Sequence, residues 1–296
     1  MTSPRKLLTA WNLRARKELG QNFLNDPAFA EMLVTRAKIS QDAVVLEIGS
    51  GLGALTIPIA KVAHKVYAVE KDIDLIALLK TELLVAGLTN VVIFEQDILK
   101  IDWTGLVAAA GQPLTVMGNL PYNISSQVLV QLIRNRRQIG RAMLMFQKEL
   151  AQRICAPPGI KAYGRLSVML AYCAEITPLV TIPARLFYPR PKVDSTFLEI
   201  RFNQEPTNPA LDEALLFRVI KKAFGKRRKT LKNALPGNEL QLDASSAHYF
   251  LEQAGIDPVR RAETLSVKEF VCLSNALFER DKTDPAGSFY KNRFGS

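Results

Sequence analysis

Histidine and cysteine are scarce in this chain, acidic residues are outnumbered by basic ones, and no long apolar run occurs. Two histidines, His64 and His248, are too few for a His-cluster metal site and argue against Ser-His chemistry. Both read as turn or surface residues. Three cysteines, Cys155, Cys173 and Cys272, lie far apart and form no CxxC pair. Neither a zinc site nor a disulfide framework is implied, and buried free thiols in a reducing compartment are expected. No basic-then-apolar leader opens the chain, and no uncharged run is long enough to span a bilayer. A cytoplasmic protein with no metal and no membrane association is expected. The 39 Lys and Arg against 28 Asp and Glu leave a net charge of +11. Such an excess favours an anionic partner, nucleic acid or an anionic membrane surface, with plain solubility as the alternative.

The 296 residues correspond to roughly two domains, and 48% apolar content supports a sizeable core. Short apolar runs alternate with longer amphipathic stretches, the pattern of βαβ units and a mostly parallel sheet. Strands are predicted at Ala43–Ile48, Lys65–Glu70, Asn90–Glu95, Leu114–Gly118, Ala142–Phe146, Ser167–Ala174 and Thr196–Phe202. Helical spacing runs through Leu55–Val62, Ile73–Ala86 and Ser125–Arg134. The polar stretch Gln204–Pro209 reads as a linker; beyond it only helices are predicted, at Leu211–Phe224, Thr230–Leu235, Ala244–Ala254 and Val267–Glu279. The expectation is an α/β fold, a Rossmann-like seven-stranded sheet over residues 1–203, followed by a small all-helical domain over 204–296. The polar tail from Asp281 to Ser296 is expected to fray.

The first strand runs into Glu47-Ile48-Gly49-Ser50-Gly51-Leu52-Gly53-Ala54. Glycines at a strand-to-helix turn let backbone approach a ligand closely, so Gly49 and Gly51 mark a nucleoside-cofactor loop or merely a tight turn. Gly49, Gly51 and Ala54 even fit a permissive dinucleotide fingerprint. Glu70 closes the second strand, where a carboxylate can accept both ribose hydroxyls of an adenosine-containing ligand. Asp97 follows the third, where it can accept from an adenine amino group. Either acid alone could be a helix cap. Together they converge on one crevice at the carboxyl ends of successive strands. Glu47 would repel a pyrophosphate but suits the cationic methionine end of S-adenosylmethionine.

The fourth strand ends in Asn119-Leu120-Pro121-Tyr122. An adenine amino nitrogen is a poor nucleophile because its lone pair is delocalised into the ring. Two acceptors, the Asn119 side-chain oxygen and the Leu120 carbonyl, can localise that lone pair by taking both N–H hydrogens. Pro121 fixes the backbone that holds the carbonyl, and Tyr122 can stack on the base. A plain proline turn is the structural alternative.

This ordered set resembles the ribosomal RNA adenine dimethyltransferase family, most closely its bacterial small-subunit branch, from about Gly20 to Leu265. Gly20-Gln21-Asn22-Phe23-Leu24 resembles the family's opening motif, which closes over the cofactor's methionine end. The resemblance places Gln21, Asn22, Leu24, Gly49, Gly51, Glu70, Lys71, Asp97, Ile98 and Asn119 at the cofactor. Gln147-Lys148-Glu149 and Tyr163–Val168 match further signatures without a derivable role. Phe187–Ser195 resembles the loop that brings an aromatic ring, here Phe187, against the target adenine. Ser50 stands where the family often has proline, which should only alter loop stiffness. What the resemblance implies is transfer of methyl groups from S-adenosylmethionine to N6 of two adjacent adenosines near the 3′ end of small-subunit (16S) ribosomal RNA. An additional part in a ribosome-assembly checkpoint, and a monomeric state, are expected with it.

Lys221–Lys232 (KKAFGKRRKTLK) holds seven basic residues and no acid. Phe217, Ile220 and Phe224, then Leu231 and Leu235, supply apolar stripes that turn the charges outward. Lys222, Lys226, Arg227, Arg228 and Lys229 are the expected RNA phosphate contacts. Arg5, Lys6, Arg14, Arg16 and Lys17 form a second basic stretch, and Arg134, Arg136, Arg137 and Arg141 a third. Three other functions compete: a resistance methyltransferase acting on large-subunit RNA, a ribosome-assembly factor whose main task is RNA binding, and a nicotinamide-dependent oxidoreductase resting on the Gly49–Ala54 loop alone.

Overall fold

A computed structural model describes residues 3–283 and divides the chain into two compact units. The first comprises residues up to Ala151 together with Ala174–Gln204; the second comprises Gln152–Cys173 and the chain from Glu205 onward. One crossing therefore falls inside the polar stretch expected to be a linker. The other two, at Ala151 and Ala174, are absent from the linear division at 203/204.

The first unit opens with α1 (Pro4–Ala10), β1 (Phe23–Leu24) and α2 (Pro27–Ala37), which Asp26 caps by accepting from the Phe29 N–H at 3.1 Å. Alternation follows: β2 (Val44–Ile48), α3 (Thr56–Ala60), β3 (Lys65–Glu70), α4 (Ile73–Val85), β4 (Val91–Glu95), α5 (Trp103–Ala110), β5 (Leu114–Asn119), α6 (Ser125–Arg134), β6 (Ile139–Gln147) and α7 (Lys148–Ile154). After α8 (Arg165–Cys173) the chain adds β7 (Ala174–Ile182), β8 (Phe187–Tyr188) and β9 (Ser195–Phe202). The sheet order is β4-β3-β2-β5-β6-β9-β7, parallel through β6 and antiparallel at β9 and β7. All five residues of β2 are buried, as befits a central strand covered on both faces. Leu33, Val45, Ile59, Met117, Met143 and Phe197 belong to one core cluster, each fully buried. Such side chains stabilise the fold by roughly 1.5–3 kcal/mol apiece.

The seven-stranded sheet is present, but one predicted strand is not in it. Ser167–Cys173 forms most of α8, Ala174 opens β7, and β7 is the strand that was missed. The segment is apolar nearly all round, with Val168, Met169, Leu170, Tyr172 and Cys173 all buried, so no period separates helix from strand. Ser167 Oγ accepts from the Gly164 N–H at 3.0 Å and closes the start of that helix. Pro178 hides β7 in the sequence; the structure tolerates it because β7 is an edge strand with a register shift at Pro178/Val180.

In the second unit, α8 contacts α9 (Glu213–Gly225) and α12 (Val267–Thr283), with α10 (Leu231–Ala234) and α11 (Ala244–Gln253) completing the set. The Tyr163–Val168 signature acquires a physical role here. Tyr163 is buried, donates its hydroxyl to the Leu265 carbonyl at 3.0 Å and meets Phe224 edge-on. These contacts, with Tyr172 against Phe217, draw residues 152–173 into the helical unit. Cys173 is buried, whereas Cys155, just past α7, and Cys272 in α12 are exposed, correcting the expectation of three buried thiols. Asp281–Thr283 continue α12, and the rest of the tail expected to fray lies outside the described residues. No helix among the described residues is long and apolar enough to cross a membrane.

Gly118 faces Ile48 across the β2–β5 pair, and a Cβ there would lie 2.5 Å from the Ile48 carbonyl oxygen. Backbone cannot yield as a flexible side chain would. Gly118→Ala is expected to destabilise the protein by about 2 kcal/mol or more, read as a lower urea midpoint. A midpoint equal to that of the unsubstituted chain would refute the close approach.

Candidate active site

The strand order reverses at β2, whose neighbours β3 and β5 lead away in opposite directions, so the loops at their carboxyl ends diverge and leave a crevice. Gly49 and Gly51 adopt φ of 73° and 52° in the loop after β2. A Cβ on Gly51 would stand only 3.2 Å from the Phe23 ring, so this glycine supplies both the turn and room for β1. The Gly51 N–H donates to Glu70 Oε2 at 2.8 Å, tying the loop to the end of β3. Glu70 Oε1 accepts from the N–H groups of Lys71 and Asp72, each at 2.8 Å. Burial raises the Glu70 pKa; these three bonds oppose the rise without cancelling it. They also occupy about three of the carboxylate's four lone-pair sites, leaving capacity for roughly one ligand hydroxyl rather than the expected two.

Asp97 Oδ2 accepts from Lys71 Nζ at 3.0 Å, and Oδ1 caps the following turn through the Leu99 N–H. Burial would raise its pKa, but the bonds from Leu99 and Lys71 outweigh that and hold it below the ordinary value. Glu47 differs from both acids. It is 1% exposed, and among the described residues neither its Oε2 nor the Thr56 hydroxyl has a hydrogen-bond partner. Burial pushes its pKa up to about 8, nearby Thr56 opposes the shift and the Glu70 charge adds to it.

The tetrad leaves β5 beside this loop. Asn119 Nδ2 donates to the Asn22 carbonyl at 2.7 Å, which fixes the amide orientation and leaves Oδ1 as the group available to accept. The Pro121 carbonyl accepts from the Ile124 N–H and from Ser125 Oγ, anchoring the turn to α6. The Tyr122 hydroxyl lies 3.1 Å from Ser195 Oγ, a fully buried partner. Burial raises the Tyr122 pKa, against the pull of that bond. A Cβ on Gly20 would crowd Asn123 Oδ1 and Pro121 Cβ at 3.0 and 3.3 Å, so the opening motif packs directly on the tetrad.

One cavity is lined by Gln21, Asn22, Leu24, Gly49, Gly51, Glu70, Lys71, Asp97, Ile98 and the whole tetrad Asn119, Leu120, Pro121 and Tyr122. Gln21 nonetheless spends its side chain elsewhere, donating to Asp72 at 2.7 Å and accepting from the Arg16 N–H at 2.8 Å. Phe187 is not part of the cavity. It is 3% exposed, pairs with Leu24 across β1–β8 and sits in the core cluster. In this fold Phe187 packs against the core rather than lining the cavity. The same Phe187–Ser195 signature contributes Ser195 instead, and Glu18, Leu19 and Leu52 also line the cavity without having been singled out.

The basic clusters separate by their partners. In the second unit Lys226, Arg228 and Lys229 are exposed, while Arg227 bonds the carbonyls of Lys161 and Tyr163 and pairs with Glu263. Arg227, itself exposed, therefore also acts as a cross-link within the unit. Lys222 is half-buried, against Gly237. In the third cluster Arg136 is buried and Arg141 bonds the Lys38 carbonyl and Glu199.

A reversed-order Rossmann-like sheet with an acid-lined cavity at its carboxyl edge defines a methyltransferase of the S-adenosylmethionine-dependent class. The chain belongs to the ribosomal RNA adenine dimethylase family, whose model matches residues 12–277. It is 53% identical, over 94% of its length and 97% of the relative's, to a protein of Desulforapulum autotrophicum named ribosomal RNA small subunit methyltransferase A. A Magnetococcus marinus protein of the same name is 43% identical over 91% of this chain and 94% of its own. Among solved structures, a dimethyladenosine transferase from Plasmodium falciparum matches with a TM-score of 0.71 at 26% identity, covering 88% of this chain and 98% of that one. The 23S rRNA methyltransferase ErmE shares the fold at a TM-score of 0.61 and 24% identity, covering 86% and 99%.

If the Ser195 bond holds the Tyr122 ring in plane, Ser195→Ala and Tyr122→Phe should each lower kcat for methyl transfer by about fivefold to tenfold with the KM for S-adenosylmethionine unchanged. The double variant should be no slower than either single one; additive losses would sink the coupling. Glu47 titrates near 4.5 in an unfolded chain and near 8 when folded, so the folded protein binds more protons between those values and loses stability as pH rises. The unfolding free energy of ligand-free Glu47→Gln, read from thermal melts, should match the parent near pH 4 and exceed it increasingly toward pH 8, by on the order of a few kcal/mol. A pH-independent difference would contradict this.

Proposed function

We propose that this protein methylates N6 of two adjacent adenosines near the 3′ end of small-subunit ribosomal RNA to N6,N6-dimethyladenosine, using S-adenosylmethionine. The observation that carries the reading is the Asn119 amide, pinned by the Asn22 carbonyl beside a cavity that ends in buried acids. The names borne by full-length relatives support the choice of the small subunit over the large.

The residues fit the cofactor. Glu47 Oε2, buried and without a partner, calls for a cationic group, and Glu70 and Asp97 offer acceptors to a nucleoside. When bound, S-adenosylmethionine supplies a methyl group already activated on a sulfonium. Asn119 Oδ1 and the Leu120 carbonyl accept the two amino hydrogens of the target adenine and draw its lone pair out of the ring. Pro121 fixes that carbonyl, and the Tyr122 ring, held through Ser195, supports the base in position. Positioning of this kind supplies most of the required acceleration, so no strong general base is needed. Lys226, Arg228 and Lys229 serve as phosphate contacts, with Lys222 at their edge. The protein works in the cytoplasm as a monomer without a metal, and its residence on assembling subunits gives it a checkpoint role.

The test is transfer of labelled methyl to purified small subunits lacking the modification. Two methyl groups on each of two adenosines are expected, with Asn119→Ala lowering the rate on the order of a hundredfold or more. Label in large-subunit RNA would overturn the substrate assignment. Absence of label in both would leave RNA binding as the protein's main task.

A further inference from the structure

The N-terminal basic stretch is not absorbed by the catalytic site, yet the fold gives it a defined surface. Pro4, Leu7 and Leu8 of α1 are buried, and Leu7 and Leu8 join Phe23, Leu52 and Leu75, three residues that wall the cofactor cavity. The helix ends in a tight left-handed cap. Asn12 takes φ of 54°, its N–H donates to the Thr9 carbonyl at 3.1 Å, and the Leu13 N–H donates to the Leu8 carbonyl at 2.8 Å. Leu13 is thereby turned toward the core cluster, and Trp11 is left 47% exposed. Arg5, Lys6, Arg14 and Lys17 are also exposed, and their side chains make no ion pair or hydrogen bond among the described residues. Arg16 differs, pairing with Asp72 and Asp74 at 2.9 and 2.6 Å and so neutralising the acids nearest the stretch; Glu18 is its one remaining acid. The hollow lined by Arg14, Arg16 and Asp74 shares Glu18 and Leu75 with the cofactor cavity, which places this surface at the mouth of the site.

We infer that Trp11, with Arg5, Lys6, Arg14 and Lys17, is a docking platform for a single-stranded or looped segment of the RNA substrate next to the target adenosine. The inference rests on the proposed function. An indole held in water by an ordered cap offers a flat face to an unpaired base, while the four free cations meet its phosphates. Charge suits RNA and an anionic lipid surface alike, and the apolar side chains decide between them. The apolar face of α1 is spent on the core, so one indole is all that this segment could insert into a bilayer.

The chain has two tryptophans, and Trp103 is buried, so emission quenching reports on Trp11. Transcribed small-subunit RNA should quench about the exposed half of the signal, and Trp11→Phe should abolish that quenching. Trp11→Ala should weaken RNA binding about tenfold. Replacing Arg5, Lys6, Arg14 and Lys17 together by Gln should reduce the slope of log affinity against log salt by about 3. Unchanged S-adenosylmethionine affinity shows that each variant folds. If the parent chain binds and methylates the RNA while these variants keep its affinity and slope, the platform is refuted and the proposed function stands. If the parent chain neither binds nor methylates it, both fall. Quenching by anionic phosphatidylglycerol vesicles but not by RNA would overturn the inference in favour of a membrane contact.

Discussion

Ile48 and Gly118 face each other across the parallel pair β2–β5 with no side chain at the glycine to separate them. Everything at the site depends on that contact. It brings together the two strand ends from which the glycine loop and the tetrad emerge, so that Gly49 and Asn119 begin their turns side by side. A Cβ at Gly118 would have to push these two strands apart. The reversal of strand order at β2 then opens the crevice without any further device.

Into this crevice the fold places three carboxylates in three different electrical states. Asp97 is stabilised as an anion by Lys71 and the Leu99 N–H. Glu70 is buried but tied by three backbone donors. Glu47 is buried with one oxygen unpartnered, and desolvation dominates its titration. A partnerless carboxyl is a liability in a core and an asset in a ligand site, because a cation arriving there meets an acceptor that nothing else satisfies. The ordering matches what a nucleoside with a cationic tail requires along its length.

Two motifs far apart in the sequence meet in space. The opening motif supplies β1, and the Phe187–Ser195 signature supplies β8, its antiparallel partner. From that junction the first motif reaches Asn119 through the Asn22 carbonyl, and the second reaches Tyr122 through Ser195. Catalytic geometry is thus held from both sides by segments 97 and 73 residues distant from the tetrad in the chain.

The sequence by itself determined the glycine loop, the acids at successive strand ends, the tetrad and the family to which they belong. Those signals are local: turn chemistry and strand-end position follow from the residues within a few places of one another. It also placed six of the seven sheet strands, failing where α8 is apolar on all sides and where Pro178 interrupts β7. Tertiary structure alone decided the rest. It buried Phe187 and freed Ser195 to hold Tyr122, locked Arg227 into carbonyls 64 and 66 residues away, and assigned residues 152–173 to the helical unit. In each case the outcome turns on which distant groups share a packed interior, and burial of that kind is a property of the assembled chain rather than of any window along it.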